Sequence, residues 1–135
     1  MSERTKRLAR LGAAQEGMAK LIETRLAAVE RRIAVLGAAH AELAALAQTG
    51  SQLQLGFLPS LLRRLAATEA ETAAAQQDAD ALRHALLAMR HRGRAFAERA
   101  DALREIDMRK AEEEEALETA LAMAAKACRK QGAVN

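Results

Sequence analysis

The sequence predicts an all-α protein, a two-helix antiparallel coiled-coil hairpin with a longer, overhanging second helix. Composition, the spacing of apolar residues and a single break in that spacing lead to this prediction. Hydrophobic residues make up 50% of the chain and charged residues 29%, whereas aromatic residues make up 1% and proline occurs once. This composition is typical of long helices and coiled coils, because compact globular cores depend on large aromatic side chains.

The second half of the chain carries small and apolar residues at alternating steps of four and three. This spacing winds helices into a left-handed supercoil, and we call these positions the seam of helix two. The seam consists of Leu61, Leu65, Thr68, Thr72, Ala75, Ala79, Leu82, Leu86, Met89, Gly93, Phe96, Ala100 and Leu103. The same walk becomes polar at Asp107, Lys110 and Glu114. The first half, from Leu8 to Leu46, has the period of an amphipathic helix.

The rhythm breaks once, at residues 49–60, whose sequence TGSQLQLGFLPS contains two glycines and the sole proline. Glycine commonly follows a helix end and proline commonly opens a helix. We therefore predict a single domain over 1–135, with helix one over about 3–48, a turn over about 49–59 and helix two over about 60–131, ending at Gly132. If the chain folds back at this turn, Leu8 faces residues 99–100 and everything after about residue 105 overhangs helix one.

Two basic stretches then lie side by side at the open end of the predicted hairpin. Helix one contributes Arg4, Lys6, Arg7 and Arg10, and helix two contributes Arg83, Arg90, Arg92, Arg94 and Arg99. Like charges on paired helices oppose the pairing, so we predict that this basic end binds an acidic protein partner. A solvated face without a partner is the alternative. Nucleic acid is disfavoured because the chain has neither a recognised binding module nor an aromatic stacking platform.

The turn supplies a second candidate site for a partner, made of apolar residues where polar ones are usual. These residues are Leu53, Leu55, Phe57 and Leu58. They either fold back over the end of the seam or form an exposed apolar surface, and exposed patches of this kind mark contact sites.

The remaining polar residues give little support for catalysis. His40 lies on the apolar face of helix one, and His84 and His91 lack the grouping of a zinc site. Cys128 is the only cysteine, so it forms no internal disulfide, and no positioned histidine accompanies it as a base. The run Glu112–Glu115 predicts either a solvated overhang or a docking strip for a basic surface. We expect no enzymatic activity, no cofactor and no metal.

The termini and hydropathy indicate a compartment. The N-terminal stretch MSERTKRLAR has no apolar core of a secretion signal, and no run approaches the roughly 18 apolar residues of a membrane span. We expect a cytoplasmic protein that is at most peripheral to a membrane.

The layout resembles a known family. A basic N-terminus with early leucines, ERTKRLARL, leads into a first helix with the charged group Glu30-Arg31-Arg32. A short turn and a longer second helix follow, whose last third, RAFAERADALREIDMRKAEEEEALE, is rich in arginine and glutamate. This layout is similar to that of the flagellar export protein FliJ and its counterparts, the stalk proteins of type III secretion. Members of this family often carry aromatic residues in the half of the hairpin near the turn, whereas this chain has only Phe57 there.

The resemblance implies a non-enzymatic rod like the central shaft of a rotary ATPase. The paired termini would enter a hexameric export ATPase, and the turn would reach the membrane export gate, with export chaperones as further partners. By position, the resemblance implies that the basic residues face the ATPase and that the apolar turn faces the gate. A monomer or weak self-association is expected.

Two other functions stay open from the residues. One is a secretion chaperone or adaptor that binds an amphipathic substrate helix along the seam. The other is a self-associating structural coiled coil, in which the overhang after residue 105 pairs with a second copy.

Overall fold

The fold is all-α and consists of two long helices that run antiparallel to each other within each compact unit of the chain. A computed structural model describes residues 2–49 and 55–134. Helix α1 spans Glu3–Gln48, a short 3-10 helix spans Leu55–Phe57, and helix α2 spans Leu58–Val134. No strand occurs within the described residues. The predicted fold class is confirmed.

The helix boundaries differ from the predicted ones at α2. The helix begins at Leu58, before the proline, because a proline in the first turn lacks only an N–H that has no partner within the helix. It also continues through Gly132 to Val134, so the prediction that Gly132 ends the helix is wrong. Glycine inside a helix costs about 1 kcal/mol relative to alanine, which is too little to force a helix end. Residues 50–54 of the predicted turn lie outside the described residues.

The described chain divides into two compact units, which we describe separately. Unit 2 is Gln15–His91, and unit 1 combines Met1–Ala14 with Arg92–Asn135. Both units contain a segment of α1 and a segment of α2.

In unit 2 the helices pack through small residues. Ala75, Ala79 and Leu86, three seam positions of α2, are buried, and Ala19 is buried on α1. Burying an alanine removes less apolar area from water than burying a leucine. The stabilisation is therefore smaller by roughly 2 kcal/mol per layer. Unit 2 is thus held together by close packing of small residues, with less apolar burial than leucine layers would give.

Pairs of charged and polar side chains across unit 2 show the antiparallel direction. Arg90 pairs with Glu23, and Arg83 pairs with Glu30 at 3.3 Å between Nη2 and Oε1. Nearer the turn, Arg32 pairs with Glu71 at 3.6 Å and the His40 ring lies 3.1 Å from a Glu69 carboxylate oxygen. As the residue number rises along α1, the number of the partner on α2 falls.

In unit 1 the two helices approach closely around Gly12. A Cβ atom on Gly12 would lie 3.7 Å from the Gly93 carbonyl oxygen and 3.7 Å from Phe96 Cβ. Ala100 is 2% exposed in this unit, and Phe96 is half-buried. Leu8 is half-buried on the facing segment of α1.

The contact between the helices of unit 1 reaches Asp107, which accepts hydrogen bonds from the first residues of α1. From Met108 to Gly132 every residue of α2 is exposed. The segment beyond Asp107 is therefore the overhang that the sequence predicts, and it remains helical to Val134.

Candidate functional site

The predicted basic residues separate into two groups. Unit 1 contains Arg4, Lys6, Arg7, Arg10, Arg92, Arg94 and Arg99, all of which are exposed. Unit 2 contains Arg83 and Arg90, and both of these face carboxylates on α1. A count of charges along each helix alone does not separate these two groups of basic residues.

Arg83 and Arg90 differ from the other predicted basic residues, because each pairs with an acid on α1. Arg83 contacts Glu30 on α1 and Asp80 on its own helix, at 3.3 and 2.9 Å, and Arg90 contacts Glu23. Their charges are balanced locally, so they stabilise the pairing of the two helices. The pairs across the helices are not evident from the sequence, since Glu30 and Glu23 are distant in sequence from Arg83 and Arg90.

Three residues of the unit 1 group, Arg4, Arg7 and Arg99, line a groove in that unit, which we call the basic groove, and the other four basic residues do not line it. It has a volume of about 560 Å³ and is lined by Arg4, Arg7, Leu8, Leu11, Arg99, Ala102 and Leu103. On α1 the arginines precede the leucines by four residues, so each arginine lies one turn from a leucine on the same face. On α2 the same spacing places Arg99 one turn before Leu103. The groove therefore has apolar residues along its length and guanidinium groups beside them.

A network of hydrogen bonds fixes the start of α1 beside α2. Ser2 caps the helix: its hydroxyl oxygen accepts from the Thr5 N–H at 3.3 Å, and its carbonyl accepts from the Lys6 N–H at 3.1 Å. The Asp107 carboxylate accepts from the Ser2 N–H and from the Thr5 hydroxyl, both at 3.1 Å. We call Ser2, Thr5 and Asp107 the capping cluster. Its hydrogen bonds hold the start of α1 against α2. Arg4, between Ser2 and Thr5, and Arg7, just after Thr5, are thereby held next to the α2 side of the groove.

The capping cluster also favours the charged form of its carboxyl group. The hydrogen bond from the Ser2 backbone lowers the pKa of Asp107, partial desolvation opposes this, and the hydroxyls of Ser2 and Thr5 lower the pKa further. In the sequence, Asp107 is evident only as a polar interruption of the seam. The local signal in the sequence is Ser2 immediately before the first helical residue, which is a common N-cap residue, but it does not identify Asp107 as the partner.

The turn residues are only partly described. Phe57 is 72% exposed and Leu58 is half-buried. Leu55 belongs to the 3-10 helix, but its side chain, like the whole of Leu53, lies outside the described residues. Phe57 therefore does not fold back over the seam. Whether it binds a partner stays a prediction.

The histidine and cysteine side chains lie apart from one another in the sequence, and the structure shows polar contacts for His40 and for the acid nearest His84. His40 pairs with Glu69, and Asp80, four residues before His84, contacts Arg83. Within residues 2–49 and 55–134 no group of histidine, cysteine, aspartate and glutamate side chains could hold a metal ion. Cys128 is exposed on the overhang.

None of the described helices contains a stretch long and apolar enough to cross a membrane. Comparison with protein-family models, curated proteins and solved structures finds no match to this chain. The fold and the basic groove define an all-α helical protein with a candidate docking surface in unit 1.

Proposed function

We propose that this protein is a non-enzymatic coiled-coil component of a bacterial flagellar or type III export apparatus. In this proposal it is a stalk-like protein of the cytoplasm that docks into a hexameric export ATPase and links it to the export gate. The observation that carries the proposal is the basic groove of unit 1, where Arg4, Arg7 and Arg99 flank apolar residues. The resemblance in layout to the FliJ family supplies the identity of the partner.

The chemistry of the groove supports a protein partner with acidic and apolar groups on one surface. Arginine is well suited to such an interface, because its planar guanidinium binds carboxylates with two parallel hydrogen bonds. The leucines beside the arginines supply apolar area, as in the core of most interfaces. Arg4, Arg7 and Arg99 are all exposed, so their charges are accessible to a partner.

The proposed contact with the export gate uses the start of α2 in unit 2. Phe57 is 72% exposed at the start of α2, and an aromatic side chain in this position can anchor a protein contact. Export chaperones are further proposed partners.

A second candidate function is that of a secretion chaperone or adaptor. The apolar residues of the basic groove favour it, because an amphipathic substrate helix could lay its apolar face between Leu8, Leu11 and Leu103. The two candidates differ in the partner, since an adaptor would retain a secreted protein and a stalk would retain an ATPase.

A pull-down from the native cell separates these possibilities. The wild-type protein is compared with the variant R4E/R7E/R99E, which reverses the three guanidinium charges of the groove. We expect the wild type to retain the export ATPase and the variant to lose it. The matched control is R25E/R31E/R64E, which makes the same change of charge at exposed positions of unit 2 and should retain the ATPase.

The comparison has a clear contrary outcome. Equal retention of the ATPase by the wild type and the groove variant would show that the groove is not its docking site. Retention of a secreted protein in place of an ATPase would favour the adaptor function. Circular dichroism of each variant verifies that its helices are intact.

A further inference from the structure

The overhang carries an exposed face that combines acidic and apolar groups. Glu114, Leu117, Glu118 and Leu121 lie at positions i, i+3, i+4 and i+7, so they share one face of α2. Leu117 and Leu121 are each 62% exposed, and both glutamates are exposed as well. We call these four residues the acidic strip. Leucines at this spacing on a solvated helix are typical of a docking face.

The basic groove has the complementary chemistry. It combines apolar residues with guanidinium groups, whereas the acidic strip combines apolar residues with carboxylates. Both surfaces belong to unit 1 of the same chain. Every copy of the chain therefore carries one basic groove and one acidic strip.

The strip cannot reach the groove of its own chain. Leu103, which lines the groove, and Leu117 lie on the same uninterrupted helix. At a rise of 1.5 Å per residue they are about 21 Å apart along α2, and a helix cannot turn back on itself without a break. The occupant must be a second molecule.

We propose that the acidic strip of one copy docks in the basic groove of another. Leu117 and Leu121 pack against Leu8, Leu11 and Leu103, and Glu114 and Glu118 pair with the guanidinium groups beside them. The exchange is reciprocal, since each copy offers one strip and one groove, and reciprocal exchange closes a two-fold dimer. The inference rests on the proposed function in treating the groove as a docking site for acidic protein surfaces.

The dimer has a consequence for the proposed partner. A groove that holds the strip of a second copy is closed to the export ATPase, so self-association and docking compete. Removing the strip's charge should therefore free the groove and leave ATPase binding intact or stronger.

Charge exchange between two variants tests the proposal. Variant R4E/R7E has an acidic groove, and variant E114R/E118R has a basic strip. Each variant alone places like charges together, so we expect its dimer dissociation constant to rise at least tenfold above the wild-type value. When the two variants are mixed, every strip again meets a groove of opposite charge, and a heterodimer should form. Light scattering over a range of concentrations measures all of these states.

A matched control comes from the same helix. Variant E112R/E115R changes the charge by the same amount, but Glu112 lies on the opposite side of α2 from the strip and Glu115 lies at the edge of the strip, so its dimerisation should be weakened far less than that of E114R/E118R. Circular dichroism confirms that each variant remains helical.

Several results would overturn the dimer. A wild-type protein that stays monomeric to millimolar concentration would do so, as would a dimer that tolerates both charge reversals or responds equally to E112R/E115R. Failure of the mixed variants to associate would also contradict it.

The failure of the proposed function would have a different signature. If the ATPase is retained neither by the wild type nor by E114R/E118R, but the mixed variants form a heterodimer, the ATPase assignment fails and the dimer stands. If E114R/E118R loses dimerisation in parallel with E112R/E115R while ATPase capture depends on Arg4 and Arg7, the dimer fails and the docking site stands.

Discussion

At the scale of single residues, the main feature is a polar side chain in a buried position. Thr5 is the largest fully buried side chain among the described residues, and its hydroxyl lies 2.8 Å from Ser2 Oγ and 3.1 Å from Asp107 Oδ2. A buried hydroxyl is stable only when it is hydrogen-bonded. The capping cluster satisfies this need and also joins the first turn of α1 to α2.

The Thr5 hydroxyl should therefore contribute to stability. Thr5→Val keeps the branched shape and removes the hydroxyl, and we expect the free energy of unfolding to fall by about 1 kcal/mol. Chemical denaturation measures this change. Thr119→Val is the control, because the Thr119 hydroxyl is exposed and bonds only to the Glu115 carbonyl of its own helix. A loss no larger than that of Thr119→Val would show that the buried hydroxyl is not a stabilising contact.

The Asp107 carboxyl group of the capping cluster predicts that the free energy of unfolding depends on pH. Because the pKa of Asp107 is lowered in the folded protein, its ionised form is stabilised by folding. This contribution is present above the pKa of the unfolded carboxyl and is lost as the pH falls through the lower, folded pKa. We expect the unfolding free energy of the wild type to decrease more steeply between pH 5 and pH 2 than that of Asp107→Asn, as urea titrations at each pH can measure. Parallel curves would contradict the role of this carboxylate.

At the scale of the helices, pairing depends on small residues and on balanced charges. Ala75 and Ala79 are buried seam positions, and Arg83 and Arg90 pair with acids on the facing helix. Exposed ion pairs of this kind are worth about 0.2–1 kcal/mol, so they set the register more than they set the stability. The overhang has no such partners among the exposed residues beyond Asp107, and it is the part of α2 available for a second molecule.

The close approach of the helices at Gly12 leaves room for a methyl group. A Cβ there would make ordinary contacts at 3.7 Å, and alanine is favoured over glycine inside a helix by about 0.5–1 kcal/mol. We therefore expect Gly12→Ala to raise the free energy of unfolding by that amount. Gly17→Ala, where no atom lies within 4 Å of the added Cβ, should give a similar gain in the same denaturation assay. Destabilisation by Gly12→Ala alone would mean that the pairing in unit 1 requires glycine.

Much of the helical structure follows from spacing along the chain. The alternating steps of four and three identify the buried positions Ala75, Ala79, Leu86 and Ala100, because a helix presents every third or fourth residue to its partner. The same repeat locates the end of the pairing near Asp107. The continuation of α2 through Gly132 was not predictable from local signals, since glycine is tolerated within helices as well as after them.

The candidate site was harder to predict from the sequence than the helices were. The contacts of Arg83 and Arg90 with α1 depend on acids more than fifty residues away, which a count of charges along one helix cannot include. The basic groove depends on which arginines flank leucines across two helices. The role of Asp107 depends on the cap of α1, which lies 105 residues before it in the chain. Each of these features arises from pairing, not from local sequence.

At the scale of the whole molecule, the small buried core predicts modest stability. The buried hydrophobic residues among the described positions are mostly alanine, and large apolar side chains such as Leu87 and Met123 are 65% and 68% exposed. Since ordinary mesophilic domains unfold at about 45–65 °C, we expect the helical signal to be lost well below about 80 °C. Thermal unfolding followed by circular dichroism measures this temperature. Retention of the full signal above that value would show stronger pairing than the small residues of the seam can supply.

The central functional claim is that unit 1 docks an acidic partner through its basic groove. It is tested most directly by the affinity and the ATPase stimulation measured with the hexameric export ATPase of the same cell. We predict that the wild type binds and stimulates the enzyme, that R25E/R31E/R64E does the same, and that R4E/R7E/R99E binds at least tenfold more weakly. Binding of all three proteins with equal affinity, or of none of them, would contradict the account.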